Sequence, residues 1–431
     1  MKNIKNIIAR EVLDSRGLPT VEAEVHLYSG VSGRSIVPSG SSIGENEAIE
    51  IRDNDYRYFG KGVKKAVYNI NNVIKKNLLN MNPHNQKNID QALINLDGTK
   101  NKGKLGANAI LAVSMANLAA SSNESKMPLY CKVKEYMNHN SEFYLPTPMI
   151  NIINGGLHAN NTISFQEFMI IPIGANSFSE SLLYGTEIFY ILKSLLKKHG
   201  HNTNIGDEGG FSPNLRSNQE AIEYILLAIE KSSLSIGKDI FLGVDIAGNE
   251  LYKKNKIFFF KKNYASIIET FMELMEKLVR DYPIIYIEDP FCEKDFFSWQ
   301  YLNTRIGKKI QLVGDDIFVT NPSILKLGIE NKLANSLLIK LNQIGTVTEA
   351  VDVIKIAKKS NFSYIISHRS GETEDTFISD FSVGVGAKQV KFGSLCRSER
   401  IAKYNRLLRI EKELGSKALY SGKIPFENFF K

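Results

Sequence analysis

The chain has 431 residues, 54 Lys plus Arg against 46 Asp plus Glu for a formal net charge of +8, and 43% apolar residues. This is the profile of a large soluble globular protein of two or three domains, and it excludes intrinsic disorder and small disulfide scaffolds. Cys131, Cys292 and Cys396 are odd in number, far apart and in no CxxC pairing, which predicts a reducing compartment, the cytoplasm, and no zinc module.

Taken in chain order, MKNIKNIIAREVLDSRG has an apolar stretch too short for a signal peptide before Arg10 and Glu11, so no export is expected. VEAEVHL, Val21 to Leu27, alternates apolar with acidic or polar residues and predicts a strand with one solvated face. GTKNKGKL, Gly98 to Leu105, has the Gly and Lys spacing of a phosphate loop. Leu105 stands where a metal-binding Ser or Thr belongs, and no hydrophobic strand precedes it, so it reads as a surface turn. GANAILAVSMANLAAS, Gly106 to Ser121, is rich in small residues, as a closely packed buried helix is. MNHNSEFYLPTP carries two prolines and no period, which places a linker at 136–148 between an α+β unit at 1–135 and a second unit at 149–431.

Beyond the linker, short apolar runs with charged ends (QEFMIIPIG, NIGDEGG, FLGVDIA, IIYIEDP, QLVGDD, SLLIKLNQ, YIISHRS, VKFGS) alternate with amphipathic stretches such as AIEYILLAIEKSS and TEAVDVIKIAKKS. This alternation predicts an α/β fold with a parallel sheet closed into a barrel; an open doubly wound sheet is the alternative. No run of about 18 apolar residues occurs, so no membrane span is expected. The pI near 9.0 rests largely on Lys-Lys and Lys-Asn pairs scattered through polar segments such as KKNLLNMNPHNQKN. That surplus reads as coding bias toward Lys, Asn and Ile, and no nucleic-acid partner is expected.

Residues at the carboxyl ends of barrel strands converge on one mouth. Here the earlier ends deliver carboxylates: Glu167, Glu208 in GDEGG, Asp245, Glu288 with Asp289, and Asp315 with Asp316. The later ends deliver Lys340, His368 and Arg369 beside Ser370, and Lys391. Capping by wet loops explains any one of these, but not the segregation of sign along the chain. Carboxylates from separate strands suit a hard oxygen-seeking cation, Mg²⁺ first and Mn²⁺ second. His199 and His201 of HGH end a Lys-rich helix with no third ligand near and are not read as a zinc site. A cation facing Lys and Arg implies an anionic substrate on Arg369 and Ser370. Lys340, among other positive charges, is then expected as a neutral amine able to take a proton next to a carboxylate.

DSRGLPTVEAEV, VPSGSSIGENEA, LDGTKNKGKLGANAILAVSMA, NIINGGLHANN, FQEFMI, GDEGGFSPN, YIEDPF, LVGDDIFVTN, LLIKLNQIGTVTEA, SHRSGETED and RSERIAKYN follow one another from about Ile4 to Gly415. In that order they resemble the segments of the enolase family, the phosphopyruvate hydratases, in its bacterial type. The resemblance implies a small α+β domain before a modified TIM-type barrel, ββαα(βα)6, with INII as the first strand and NIGDEGG as a loop. It implies Mg²⁺-dependent, reversible dehydration of 2-phosphoglycerate to phosphoenolpyruvate in glycolysis and gluconeogenesis, with Lys340 as the base at C2 and Glu208 as the general acid. Asp245, Glu288 and Asp315 match ligands of a first Mg²⁺, and Ser42, in a loop of the small domain, a ligand of a second that arrives with substrate. His158 and Glu167 match residues supporting proton transfer; Gln166, His368, Arg369, Ser370 and Lys391 match those that hold substrate.

At least a homodimer is implied. The loop reads SGSSIG where the family usually has SGASTG, Leu157 and Asn160 flank His158 where polar or acidic residues are commoner, Leu18 replaces a usual Asn, and Phe392 a usual Thr. Two other readings stay open: a different acid-sugar lyase or racemase on the same barrel, which Ser42 and its loop disfavour, and an additional role in binding RNA or a ribonuclease complex, suggested by the +8 charge.

Overall fold

The structure, a computed structural model, describes residues 2–40, 44–138, 141–253, 256–258, 265–266 and 268–430. The chain opens with an antiparallel meander, β1 (Ile4–Leu13), β2 (Pro19–Leu27) and β3 (Ser32–Ile36). Glu22 of the central strand is buried, contrary to the solvated face expected of VEAEVHL. Arg10 of β1 and Arg34 of β3 flank it from both sides and pair with its carboxylate, so charge pairing takes the place of water.

A helical segment over 64–78 and helices α1 (Gln86–Asp97), α2 (Ala107–Glu124) and α3 (Leu129–Met137) follow in this unit. The small residues of α2 let it lie flush on β3. A Cβ on Gly33 would stand 2.0 Å from the Ala120 backbone nitrogen, so both the glycine and the alanine-rich face are needed for that approach. GTKNKGKL forms the turn between α1 and α2. Its backbone N–H groups at Thr99, Lys104 and Leu105 donate to the Asp97 carboxylate, so the loop is organised around its own side chain.

The second unit is the barrel. Its strands are β4 (Ile150–Asn154), β5 (Glu167–Ile171), β6 (Phe241–Asp245), β7 (Ile284–Glu288), β8 (Gln311–Gly314), β9 (Ser336–Ile339), β10 (Ser363–Ser367) and β11 (Gln389–Lys391). β4 pairs antiparallel with β5 and β5 with β6, and every later neighbour is parallel. The ring closes through one continuous segment: Thr147–Pro148 pairs with β11, and the chain then runs into β4. Helices α4 (Phe178–Lys198) and α5 (Asn218–Lys231) follow β5. α6 (Ile268–Asp281), α7 (Phe296–Ile306), α8 (Pro322–Glu330), α9 (Val347–Lys359), α10 (Phe377–Gly384) and α11 (Ser398–Leu414) follow β6 to β11 in turn. The topology is ββαα(βα)6, and NIGDEGG is a loop, as expected. Among the described residues no helix is long and apolar enough to cross a membrane.

Helix starts are written in the sequence. Ser177, Ser217 and Thr346 each accept a bond from the backbone N–H three residues on, at Glu180, Glu220 and Glu349, the pattern of a capping box. Inside the barrel the period of two aims the chemistry. Val313, Leu338 and Ile365 belong to the interior cluster, while Leu312, Leu337 and Ile366 face the helices. Two positions beyond each interior residue stand Asp315, Lys340 and Ser367, so alternation turns them toward the axis at the mouth.

The two units share one continuous apolar core. They also meet through polar groups at the start of α9. The buried Asp90 of α1 accepts from the Thr348 N–H at 2.9 Å and from Ser114, and Lys102 pairs with Glu349 at 2.6 Å.

Candidate active site

Each expected residue that the structure describes lies at the mouth. His158 ends the turn Gly156–His158 after β4; Gln166 immediately precedes β5 and Glu167 opens it; Glu208 sits in the loop before α5; Asp245 and Glu288 end β6 and β7. Asp315, Lys340, and His368 to Ser370 follow β8, β9 and β10, and Lys391 ends β11. Ser42 lies outside the described residues. All of these described residues but Glu288 line a single cavity, together with Asp316 and Ser367; Glu288 bonds the Lys391 that lines it. One expectation needs correcting: Glu167 is the first residue of its strand, not the last. It reaches the mouth because β5 runs antiparallel, which sets Glu167 opposite Asp245.

Lys391 Nζ binds Glu167 Oε1 at 3.1 Å, Asp245 Oδ2 at 3.0 Å and Glu288 Oε2 at 2.8 Å. The Tyr286 hydroxyl donates to Glu288, and Gln166 Nε2 donates to Asp245 at 3.4 Å. One ammonium among three buried carboxylates leaves surplus negative charge. Burial first, then Asp245, pushes Glu288 up to about 8, and burial with Glu208 holds Glu167 well above the usual carboxylate range.

Glu208 has different company. Asn151 Nδ2 donates to it at 3.1 Å, His368 Nε2 lies 3.4 Å away, and His158 Nδ1 sits 3.6 Å from Glu208 and 3.7 Å from Glu167. Burial pushes Glu208 up, but His158, His368 and Arg400 outweigh it and hold the group well below its ordinary value. The His158–Glu167–Glu208 cluster thus favours its proton on Glu167. Arg400 fixes the arrangement from behind, donating to His368 Nδ1 at 2.6 Å and to the carbonyls of Arg369, Ser370 and Asp207.

Lys340 pairs closely with Asp315, a partner that the expectation of a neutral amine did not include. Burial, Arg369 and Lys391 all disfavour the ammonium, but Asp315 prevails and the pKa is raised. The basic neighbours were legible in sequence; the carboxylate one strand away in the sheet was not.

Of the expected metal ligands, Asp245 and Glu288 meet on Lys391 and Asp315 on Lys340. Ligand oxygens of Asp289, Asp315 and Asp316 lie within 4.8 Å of one another, as do ligand atoms of His158, Glu167 and Glu208. Asp289 stores backbone strain at φ 40° while its carboxylate accepts from the N–H groups of Asp315 and Asp316. The donor set fits a hard divalent cation. It is all oxygen along β6 to β8, its carboxylates crowd one another, and Glu167 Oε2 and Gln166 Oε1 are buried without a hydrogen-bond partner among the described residues. His199 and His201 both bond the Tyr224 hydroxyl instead, at 2.9 and 3.0 Å.

Sequence reasoning passed over Asn151, Glu47, Gln343 and Arg400. A signal existed for Arg400: with Lys403, Tyr404 and Leu407 it occupies the buried face of α11, where a cation needs a buried partner.

A ββαα(βα)6 barrel whose mouth gathers carboxylates, lysines and imidazoles has the layout of a barrel enzyme, with acidic and basic groups around one cavity. Comparison with family models makes this specific. Residues 4–133 match the model described as Enolase, N-terminal domain, and residues 142–428 match Enolase, C-terminal TIM barrel domain. The chain belongs to the enolase family, and with it to the metal-dependent dehydrating lyases.

Proposed function

We propose that this protein catalyses the reversible, Mg²⁺-dependent dehydration of 2-phosphoglycerate to phosphoenolpyruvate. The observation that carries the reading is a single cavity lined by both Lys340 and the His158–Glu167–Glu208 cluster. Lys340 takes the C2 proton, and Glu208 gives a proton to the hydroxyl leaving C3, so water departs and the C2–C3 double bond forms.

Asp245, Glu288 and Asp315 would hold one Mg²⁺ and Ser42 a second. When bound, Mg²⁺ supplies positive charge for the substrate carboxylate. An Asp315 oxygen engaged by a cation pairs less well with Lys340; Arg369 and Lys391 then favour the neutral amine a base requires. Glu208 becomes a proton donor by drawing on the proton that its pairing with Glu167 retains, with His158 between them. Arg369, Ser370, His368 and Gln166 hold the substrate, and Lys391 neutralises its carboxylate side. The organisation that goes with this reading is a small domain at 1–135, a linker at 136–148 whose last two residues, Thr147–Pro148, already pair with β11, and a barrel at 149–431, in at least a homodimer in the cytoplasm.

The test follows the ultraviolet absorbance of the enol phosphate with and without a chelator. Turnover of 2-phosphoglycerate is expected only with Mg²⁺, and Lys340→Ala is expected to lower kcat about a thousandfold, within the range of general-base removal. Full activity of that variant would remove Lys340 from its role. Turnover of a sugar acid in place of 2-phosphoglycerate would overturn the substrate.

A further inference from the structure

The small domain reaches into the mouth at a residue the proton chemistry does not use. Ser39 exchanges two backbone bonds with Gly371, beside Ser370, and the Ala48 N–H donates to the Gln343 carbonyl at 2.8 Å. These bonds tie Ser39 to the loop after β10 and Ala48 to the short helix Leu341–Ile344 after β9. Just before Ala48, the buried Glu47 turns its carboxylate toward the barrel. Its Oε2 accepts from Arg369 Nη1 at 3.0 Å and its Oε1 from Arg369 Nη2 at 3.2 Å, a bidentate pair between two domains. Arg369 Nη1 also donates to Asn342 Oδ1 at 3.1 Å, which sets the plane of the guanidinium.

Glu47 is also wired to the carboxylate side. Gln343 Nε2 donates to Glu47 Oε1 at 3.2 Å and to Asp315 Oδ1 at 3.0 Å. The orientation of that amide is set by Thr320, whose hydroxyl accepts from the Lys340 N–H at 2.9 Å and donates to Gln343 Oε1 at 2.8 Å. Glu47 Oε1 accepts from Gly44 N–H as well, at 3.1 Å. One carboxylate therefore joins the small-domain segment, the expected anion-binding guanidinium and an expected metal ligand.

A long arginine side chain near Asp315 and Asp316 is drawn toward them electrostatically. We propose that Glu47 is a positioning residue: it holds the Arg369 guanidinium in place for a phosphate-class anion and keeps it off the mouth's own carboxylates. The opposite role for Glu47 is that of a counter-charge that weakens the anion site. The two roles predict opposite signs. A positioning residue gives anion affinity that falls when Glu47 is neutralised; a competitor gives affinity that rises.

The inference rests on the proposed function only in taking Arg369 as the substrate-phosphate contact. The experiment uses the full chain with Mg²⁺ and measures kcat and KM for 2-phosphoglycerate, and direct calorimetric binding of inorganic phosphate. Glu47→Gln is expected to raise KM and the phosphate Kd together, each about tenfold as for loss of a charge-assisted bond, and to change kcat less than about threefold. In an Arg369→Lys background the same substitution is expected to add little, because the partner is already gone. If Glu47→Gln does not fold, Glu47→Asp, which keeps the charge but draws the oxygens back by one carbon, is expected to show the same joint rise. Unchanged KM and phosphate binding, tighter phosphate binding, a fall confined to kcat, or additivity with Arg369→Lys would each overturn the assignment. A wild-type protein that binds phosphate but does not turn over 2-phosphoglycerate would sink the functional reading, while the phosphate arm still decides Glu47.

Discussion

Glu167 and Glu208 stand at two walls of one mouth, equally buried and of the same residue type, yet they are held in opposite directions. On the Glu167 wall, Asp245 and Glu288 compete for the same ammonium, Lys391. On the Glu208 wall, a single carboxylate is served by Asn151, His368 and His158, with Arg400 behind. Burial raises both groups; the ratio of carboxylates to cations decides which keeps its proton. A pair tuned apart in this way can lend and hold a proton, which two identical environments could not do.

The largest effect is expected from removing the cation that the first wall shares. Lys391→Met leaves Glu167, Asp245 and Glu288 without their ammonium, and a broken buried pair of this kind costs about 3–5 kcal/mol. Urea unfolding in EDTA should show that loss, and Mg²⁺ should recover part of it. A change below about 1 kcal/mol would mean that the carboxylates already discard their charge by protonation.

The second wall is probed through pH. Burial, aided by Arg400 and opposed by Glu208, pushes His368 down to about 4 from its ordinary 6.5. Between these values the unfolded chain binds the extra proton, so stability rises with pH there and is lost as pH falls from 6.5 toward 4. The contribution is about 3 kcal/mol at most. His368→Gln should flatten the unfolding midpoint across that window. It should leave the acid loss due to Glu208, whose lowered pKa acts below 4.5. An unchanged slope between pH 4 and 6.5 would show that another group titrates there.

Outside both walls the expected effect is small. Leu157 neighbours His158 but is 49% exposed, so Leu157→Ala should shift stability by no more than about 0.5 kcal/mol. A large loss of activity from it would extend the site beyond the two walls. Phe392, the other departure close to a site residue, turns away from the mouth and packs against Tyr404 of α11 with ring centroids 6.1 Å apart.

Much of this molecule is local and so was legible in the chain. Short apolar runs ending in charge marked β6 to β11, and small residues in α2 announced close packing. Most carboxylates and cations of the mouth could be named because strand ends in a barrel must converge, whereas His158, Gln166 and Ser42 came only from the family resemblance. Three things escaped that logic. Strand direction decided that Glu167 reaches the mouth from the start of β5. Sheet adjacency decided that Asp315 holds the Lys340 ammonium. Domain contact decided that Glu47 lies on Arg369, although 322 positions separate them in the chain.

The sequence by itself determined which groups are present and most of the secondary structure that carries them, because these depend on side-chain type and near-neighbour spacing. Only the tertiary structure decided who pairs with whom. Inside a water-poor cavity, distances of about 3 Å set protonation and orientation, and those distances are created by ring closure and domain packing rather than by order along the chain.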